Sequence, residues 1–141
     1  FAMLINKKKF KDDYYFDENF FLYLENEDLC LRKKKEGENI YVLKMAKINH
    51  LGGKSSSKIY SEEIEYSRNW HWMWSKFYFN KKHYGYLYSL TKVFSNLISA
   101  KVKFFYYLLT FNSYKRKIYM MRYLGLINSM IGKKSWYRPK I

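Results

Sequence analysis

The stretch Phe16-Asp17-Glu18-Asn19-Phe20-Phe21-Leu22-Tyr23-Leu24-Glu25-Asn26-Glu27-Asp28-Leu29-Cys30-Leu31-Arg32 gathers aromatic side chains around a turn and runs straight into a cluster of acids. Asn26 is a suitable helix N-cap, Glu27 and Asp28 suit the positive first turn, Lys33 to Lys35 suit the last turn, and Gly37 stands where a C-terminal cap belongs. The expectation is a short helix, punctuated at both ends. Upstream, residues 1–5 read as a buried strand and residues 7–12 as a short helix or turn. Downstream, the β-branched and apolar residues of 40–50 (Ile40, Val42, Leu43, Ile48) read as one strand or two shorter ones. Residues 51–57 form a loop by composition, and a largely helical remainder begins at Ser61-Glu62-Glu63. Helices are expected over residues 62–80 and 86–112, where Pro is absent and the apolar pattern is dense.

The chain has 141 residues, enough for one domain of ordinary size. With 48% hydrophobic and 22% aromatic residues, it has the material for a core, which excludes intrinsic disorder. The single cysteine, Cys30, excludes an internal disulfide framework and a Cys-rich zinc site, and fits a reducing compartment. No run of 18 uncharged apolar residues occurs, so a spanning helix is not expected. The start at Phe1, inside an apolar run, reads as the interior of a larger protein.

The net charge of +15 is distributed unevenly. All 12 acidic side chains lie within residues 1–65, balanced there by 12 basic ones; residues 66–141 carry 15 basic side chains and no acid. AT-rich coding bias accounts for part of the Lys, Asn, Ile and Tyr richness, but not for acids that stop at Glu65. The second segment should seek an anionic partner.

Three features carry chemistry: the acids at Glu25-Asn26-Glu27-Asp28, the histidine at the end of the next expected strand (His50), and the Gly52-Gly53-Lys54-Ser55-Ser56 loop after it. Each alone is ordinary: acids cap helices, strand ends carry histidines, and Gly-Gly makes turns. With their flanks they become specific. The stretch from Phe16 to Arg32 resembles the F-D-E-x-F-F-x-Y-x-E-D-x-D-L-C-x-R segment of family 2 glycosyltransferases of the rhamnosyltransferase-like branch. The likeness continues through Ala2-Met3-Leu4-Ile5, through Ile40-Tyr41 to Ala46-Lys47-Ile48, through the H-x-G-G-x-S pattern beginning at His50, and through Arg68-Asn69 with Lys81-Lys82-His83-Tyr84-Gly85.

The resemblance implies an α/β chain, the C-terminal half of a GT-A nucleotide-sugar transferase fold, followed by a mainly helical basic tail. Residues 1–60 would be the acceptor-side half of the catalytic domain and residues 61–141 the tail. It implies inverting transfer from a nucleotide-sugar donor to a glycan or lipid-linked acceptor in cell-surface polysaccharide synthesis. The D-x-D motif of the donor-binding half is absent from these residues, so the fragment alone is expected to be inactive. Such transfer needs a carboxylate to take the acceptor proton and a cation to neutralise the departing diphosphate. The family's base falls on Asn26, whose amide cannot take a proton; either Glu25 or Asp28 has taken over, or the site is inactive. Glu25 is preferred, because it precedes the cap and is free to face a cleft. His50 would add a ligand to a shared Mg²⁺ or Mn²⁺, and Gly52, Gly53, Ser55 and Arg68 would meet the diphosphate. Lys44, where the family often has Pro, is a second departure.

The tail interleaves Trp70, His71-Trp72-Met73-Trp74, Phe77-Tyr78-Phe79 and residues 101–109 with lysines, which suits either an anionic membrane surface or packing of the tail on the catalytic half. A peripheral place on the cytoplasmic membrane face follows. The non-enzymatic alternative is a basic helical module binding membrane or nucleic acid. Nucleic acid is disfavoured: no recognition motif is present, and Lys outnumbers Arg 22 to 5.

Overall fold

The computed structural model describes residues 3–10, 15–49 and 60–139. Among them the regular elements are a 3-10 turn over Lys7–Lys9 and four α-helices: α1 (Glu25–Lys35), α2 (Ser61–Tyr84), α3 (Tyr86–Leu109) and α4 (Ser113–Met130). No strand forms among the described residues. The α/β expectation, and with it the half GT-A fold, is therefore overturned in favour of a helical bundle. Residues 40–49 show why. Their β-branched composition is intact, but the stretch lies exposed and irregular, with Val42 at 85% and Met45 at 93% exposure. β-Propensity reflects packing against a neighbouring strand, and none is at hand. The expected strand at residues 1–5 fares no better where it is described: residues 3–5 are irregular.

Helix α1 begins two residues earlier than the Asn26 cap implies. Leu24 occupies the cap position in a left-handed conformation and makes no side-chain cap bond, so Asn26 lies inside the first turn. The other end follows expectation: Gly37 N–H donates to the Lys34 carbonyl and Glu38 N–H to that of Lys33, the paired bonds that close a helix around a glycine.

Helix α2 is the central element. Acids at Glu62 and Glu63 open it and Lys81, Lys82 and His83 end it, matching the helix dipole at both ends. It buries Tyr66, Trp70, Met73, Trp74 and Phe77, together with Ser67, His71 and Ser75, which is more than one face. Neighbours on several sides account for this. One core cluster joins Tyr66, Trp70 and Trp74 to Met121 of α4; another joins Met73 and Phe77 to Val93 of α3 and Leu126 of α4. Gly85 alone separates α2 from α3, at φ +89° and ψ 167°, a conformation essentially reserved for glycine. On α4, Gly125 faces the backbone of Trp70 so closely that a Cβ would collide with its carbonyl group.

The segment after α4 folds back over α2 through His71. The Tyr137 carbonyl accepts from Nε2 at 2.8 Å, so Nε2 carries the ring proton and Nδ1 accepts from the Ser135 hydroxyl at 3.0 Å. Trp74 Nε1 donates to the Lys133 carbonyl at 2.9 Å, and the Arg138 guanidinium lies 3.6 Å over the Phe21 ring. Burial, opposed by the Tyr137 bond and assisted by the Arg138 charge, pushes the fully enclosed His71 down to about 4.

Gly125→Ala is expected to destabilise the chain by about 1–3 kcal/mol through overpacking against Trp70, read as a lower unfolding midpoint in urea. Val42→Ser, on the exposed stretch, should stay within about 0.5 kcal/mol. Because the unfolded chain binds a proton at His71 more readily than the folded one, stability is full above pH 6.5 and falls by about 3 kcal/mol as the pH drops toward 4. Urea titrations of wild type and His71→Gln across that window check this: the slope should be present in the first and missing in the second.

Candidate functional site

The acids of the Phe16–Arg32 stretch have two different surroundings. Asp17 anchors a tight turn, with Oδ1 accepting from the Asn19 backbone N–H at 3.0 Å and its side-chain amide at 2.8 Å. Its Oδ2 accepts from Tyr78 Oη at 3.0 Å and from Lys82 Nζ at 2.7 Å. The same ammonium reaches Asp28 Oδ1, also at 2.7 Å. Asp28, wholly buried, further accepts from Arg32 Nε at 2.9 Å and His83 Nε2 at 2.8 Å. Arg32 also donates to the Tyr15 carbonyl at 2.6 Å, and Lys35 Nζ stands 3.3 Å from His83 Nδ1.

This cluster ties α1 to the C-terminal turn of α2. Burial alone would raise the Asp17 carboxyl, but bonds from Lys82, Asn19 and Tyr78 outweigh it and hold the group down at about 2. Asp28 is lowered in the same way: burial opposes, and bonds from Lys82, Arg32 and His83 prevail. Lys82 is raised, since its two carboxylate partners overcome its own burial. The residues that carried the sequence resemblance, Asp17, Asp28, Arg32 and the Lys82-His83 pair, thus meet in one place. Asp28 is held by these side chains rather than by first-turn backbone N–H groups.

Glu25 lies at the start of α1, outside that cluster. The two residues before it, Tyr23 (φ 69°) and Leu24 (φ 66°), both take left-handed backbone conformations, uncommon for any side-chain-bearing residue. Ser75 Oγ donates to the Leu22 carbonyl at 2.7 Å, and the Tyr23 ring stands edge-on to Trp72 at 5.4 Å, which pins the corner to α2. Glu25 Oε2 is buried and finds no hydrogen-bond partner among the described residues. The Tyr23 hydroxyl is raised by burial; the Arg68 charge opposes this, and the Glu65 and Glu25 charges add to it. Arg68 and Trp72, four residues apart, share a face of α2, and the Tyr23 ring, two residues before Glu25, packs against Trp72 at this corner. Arg68 and Trp72 are exposed on α2. This corner can take a proton, hold an anion and offer ring faces to a sugar.

Of the other sequence-derived site residues, Asn26 is half-buried in the first turn of α1, while His50, Gly52, Gly53 and Ser55 lie outside the described residues. No group of three or more His, Cys, Asp or Glu side chains is arranged to hold a metal ion among the described residues. The Asp17–Asp28 pair does not fit one either, because Lys82 and Arg32 already occupy the position of a cation. A cleft of about 570 Å³ opens beside Asp17, lined by Glu18, Asn19, Lys134, Ser135 and Arg138. The sequence assigned no role to Asp17, Lys82 or His83, although the K-x-H pattern of Lys81-Lys82-His83 was a signal available for His83. Comparison with protein families, curated proteins and solved structures finds no match to this chain.

Lys82→Met, which leaves two buried carboxylates facing each other, is expected to lower stability at pH 7 by about 3–5 kcal/mol, measured by urea unfolding. The Asp17 contribution should be intact above pH 3.8 and vanish as the pH falls through about 2, because protonation removes its bonds from Lys82. A second acid limb in the stability profile, below the His71 one and lost in Asp17→Asn, is the readout.

Proposed function

We propose that this chain supplies the acceptor side of an inverting sugar-transfer reaction, with Glu25 as the base. The observation that carries the proposal is the pairing state of the two candidate acids. Asp28 is fully engaged by three side chains, whereas Glu25, on a strained corner, keeps a buried oxygen with no hydrogen-bond partner among the described residues. Backbone strain and unsatisfied polar atoms concentrate where a protein keeps a group ready for chemistry. The likeness of residues 16–32 to the glycosyltransferase segment supports the same reading.

In this scheme Glu25 takes the proton of an acceptor hydroxyl. The oxygen attacks the anomeric carbon of a nucleotide sugar, and the bond to the diphosphate breaks with its electron pair going to the leaving phosphate. Arg68, exposed on α2 one turn before Trp72, would offset the charge that develops there. Trp72, 40% exposed, presents a ring to the apolar face of a glycan. The Mg²⁺ or Mn²⁺ that the resemblance implies would be held by His50, which lies outside the described residues. The donor-binding portion would be a partner to these residues. The lone Cys30 is in keeping with a cytoplasmic setting, where nucleotide sugars would be the donors.

The test is transfer of label from nucleotide sugars to glycan or lipid-linked acceptors by the polypeptide that contains this chain. Glu25→Gln should reduce kcat by about 100-fold or more with an unchanged unfolding midpoint. Asp28→Asn should act mainly by lowering that midpoint. Normal turnover in Glu25→Gln would refute the assignment.

A further inference from the structure

Helix α3 is turned inside out relative to a helix that packs in water. Its buried positions are the small or modest Ser89, Val93 and Ala100. Its exposed positions include Leu87 (79%), Phe94 (62%), Ile98, Val102, Phe105 and Leu109 (77%). Steps of seven, four, four, three and four residues place these six on a single stripe, roughly 33 Å long at 1.5 Å per residue. At its far end the turn into α4 adds Phe111, 89% exposed. A shallow apolar cleft of about 260 Å³ between α3 and α4, lined by Phe104, Phe105, Met120 and Tyr123 with Lys101 at its edge, continues the surface sideways. An exposed apolar surface of this length marks an interaction site.

Charge decides what covers it. Lys101 adjoins the stripe, Lys92 and Lys103 lie farther round the other flank beyond Tyr88 and Tyr106, and no acidic residue occurs after Glu65. A second copy docked α3 to α3 would bring these lysines together with no carboxylate between them, a repulsive arrangement. A nucleic acid would satisfy the lysines but leave Leu87, Ile98, Val102 and Leu109 without use, since aliphatic side chains do not stack as aromatic ones do on bases. An anionic bilayer answers both demands: its acyl boundary takes the stripe and its phosphates take the lysines. Tyr88 and Tyr106, exposed beside the stripe, belong at the headgroup level. Among the described residues no helix is long and apolar enough to cross a membrane, so the contact lies along the surface.

We propose that the outward stripe of α3 seats the protein on anionic lipid, lying parallel to the bilayer plane. This stands on α3 alone and is independent of sugar transfer. The experiment is flotation of the purified chain with vesicles of phosphatidylcholine alone and of equal parts phosphatidylcholine and phosphatidylglycerol. The protein should float with the anionic vesicles, stay behind with the neutral ones, and detach progressively with added salt. The double variant Phe94→Ser/Phe105→Ser, at exposed positions, should keep its helical circular dichroism and unfolding midpoint while its partition falls by about tenfold or more. Lys92→Glu/Lys101→Glu/Lys103→Glu should abolish the preference for anionic lipid. Unchanged partition in the phenylalanine double variant, or equal binding to neutral vesicles, would overturn the proposal. So would a lipid-free dimer in sedimentation that the double variant breaks apart, which would make a second copy the occupant. Tighter retention of single-stranded DNA than of vesicles, lost in the same variant, would equally overturn it.

Discussion

Lys82 sits between two buried carboxylates, and the arrangement of the N-terminal segment on the bundle depends on that contact. Asp17 belongs to the aromatic turn and Asp28 to α1, and one ammonium 2.7 Å from each binds both to the end of α2. Taking such charges out of water is expensive, and the cluster is tolerable because every member is bonded: Arg32 and His83 complete Asp28, while Asn19 and Tyr78 complete Asp17. The return is geometric definition more than raw stability. An apolar contact would let α1 slide along α2; carboxylates shared by a lysine do not. With α1 fixed at Asp28, its first turn and Glu25 are fixed as well.

The charge asymmetry of the sequence is partly an internal arrangement. Acids from the balanced segment serve cations of the basic one: Asp17 and Asp28 meet Lys82, and Glu63 meets Lys117 at 2.9 Å. Lys117 also lies 4.2 Å over the Tyr66 ring, and Lys103 and Arg122 both lie near the ring of Tyr119. Many cations of the second segment thus have aromatic neighbours, which lowers the cost of gathering them without acids. What the interior leaves unanswered is the rim of α3, where lysines border exposed Leu, Ile and Phe.

Local rules that need no distant partner were legible in the sequence. The short helix after Leu24, its end at Gly37, and long helices on both sides of Gly85 follow from propensity, charge placement and glycine. The strand expected at residues 40–50 does not form over its described residues, 40–49, because a strand is a relation between two segments, and a β-branched composition says nothing about whether the second is present. The Trp70-His71-Trp72-Met73-Trp74 run could not be read as core or surface either, since apolar residues fill every side of the helical wheel. The structure divides it, burying Trp70, Met73 and Trp74 and exposing Trp72. His71 offered no pattern at all: its partners, Ser135 and Tyr137, lie more than sixty positions away in the chain. Of the candidate site, the clustering of acids within residues 16–32 was readable, but the different pairing of Glu25 and Asp28 was not. It depends on Lys82 and His83, more than fifty residues downstream.

The corner before Glu25 carries a cost that its packing alone does not explain. Left-handed conformations at both Tyr23 and Leu24 cost of order 1–2 kcal/mol each. A glycine at either position would relieve that cost. The Tyr23 ring against Trp72 and the Ser75 bond to Leu22 hold the corner in place but do not require the strain. Its consequence is the path of the chain: two successive left-handed residues turn it sharply into α1, which starts with Glu25 and carries Asp28, one turn later, into the buried cluster. Within α1 the three-residue step, about 60° around the helix axis, sets the two acids apart. The helix therefore separates a carboxylate that ties α1 to α2 from one whose buried oxygen has no hydrogen-bond partner among the described residues, and the exposed Glu27 between them carries the third charge of that turn.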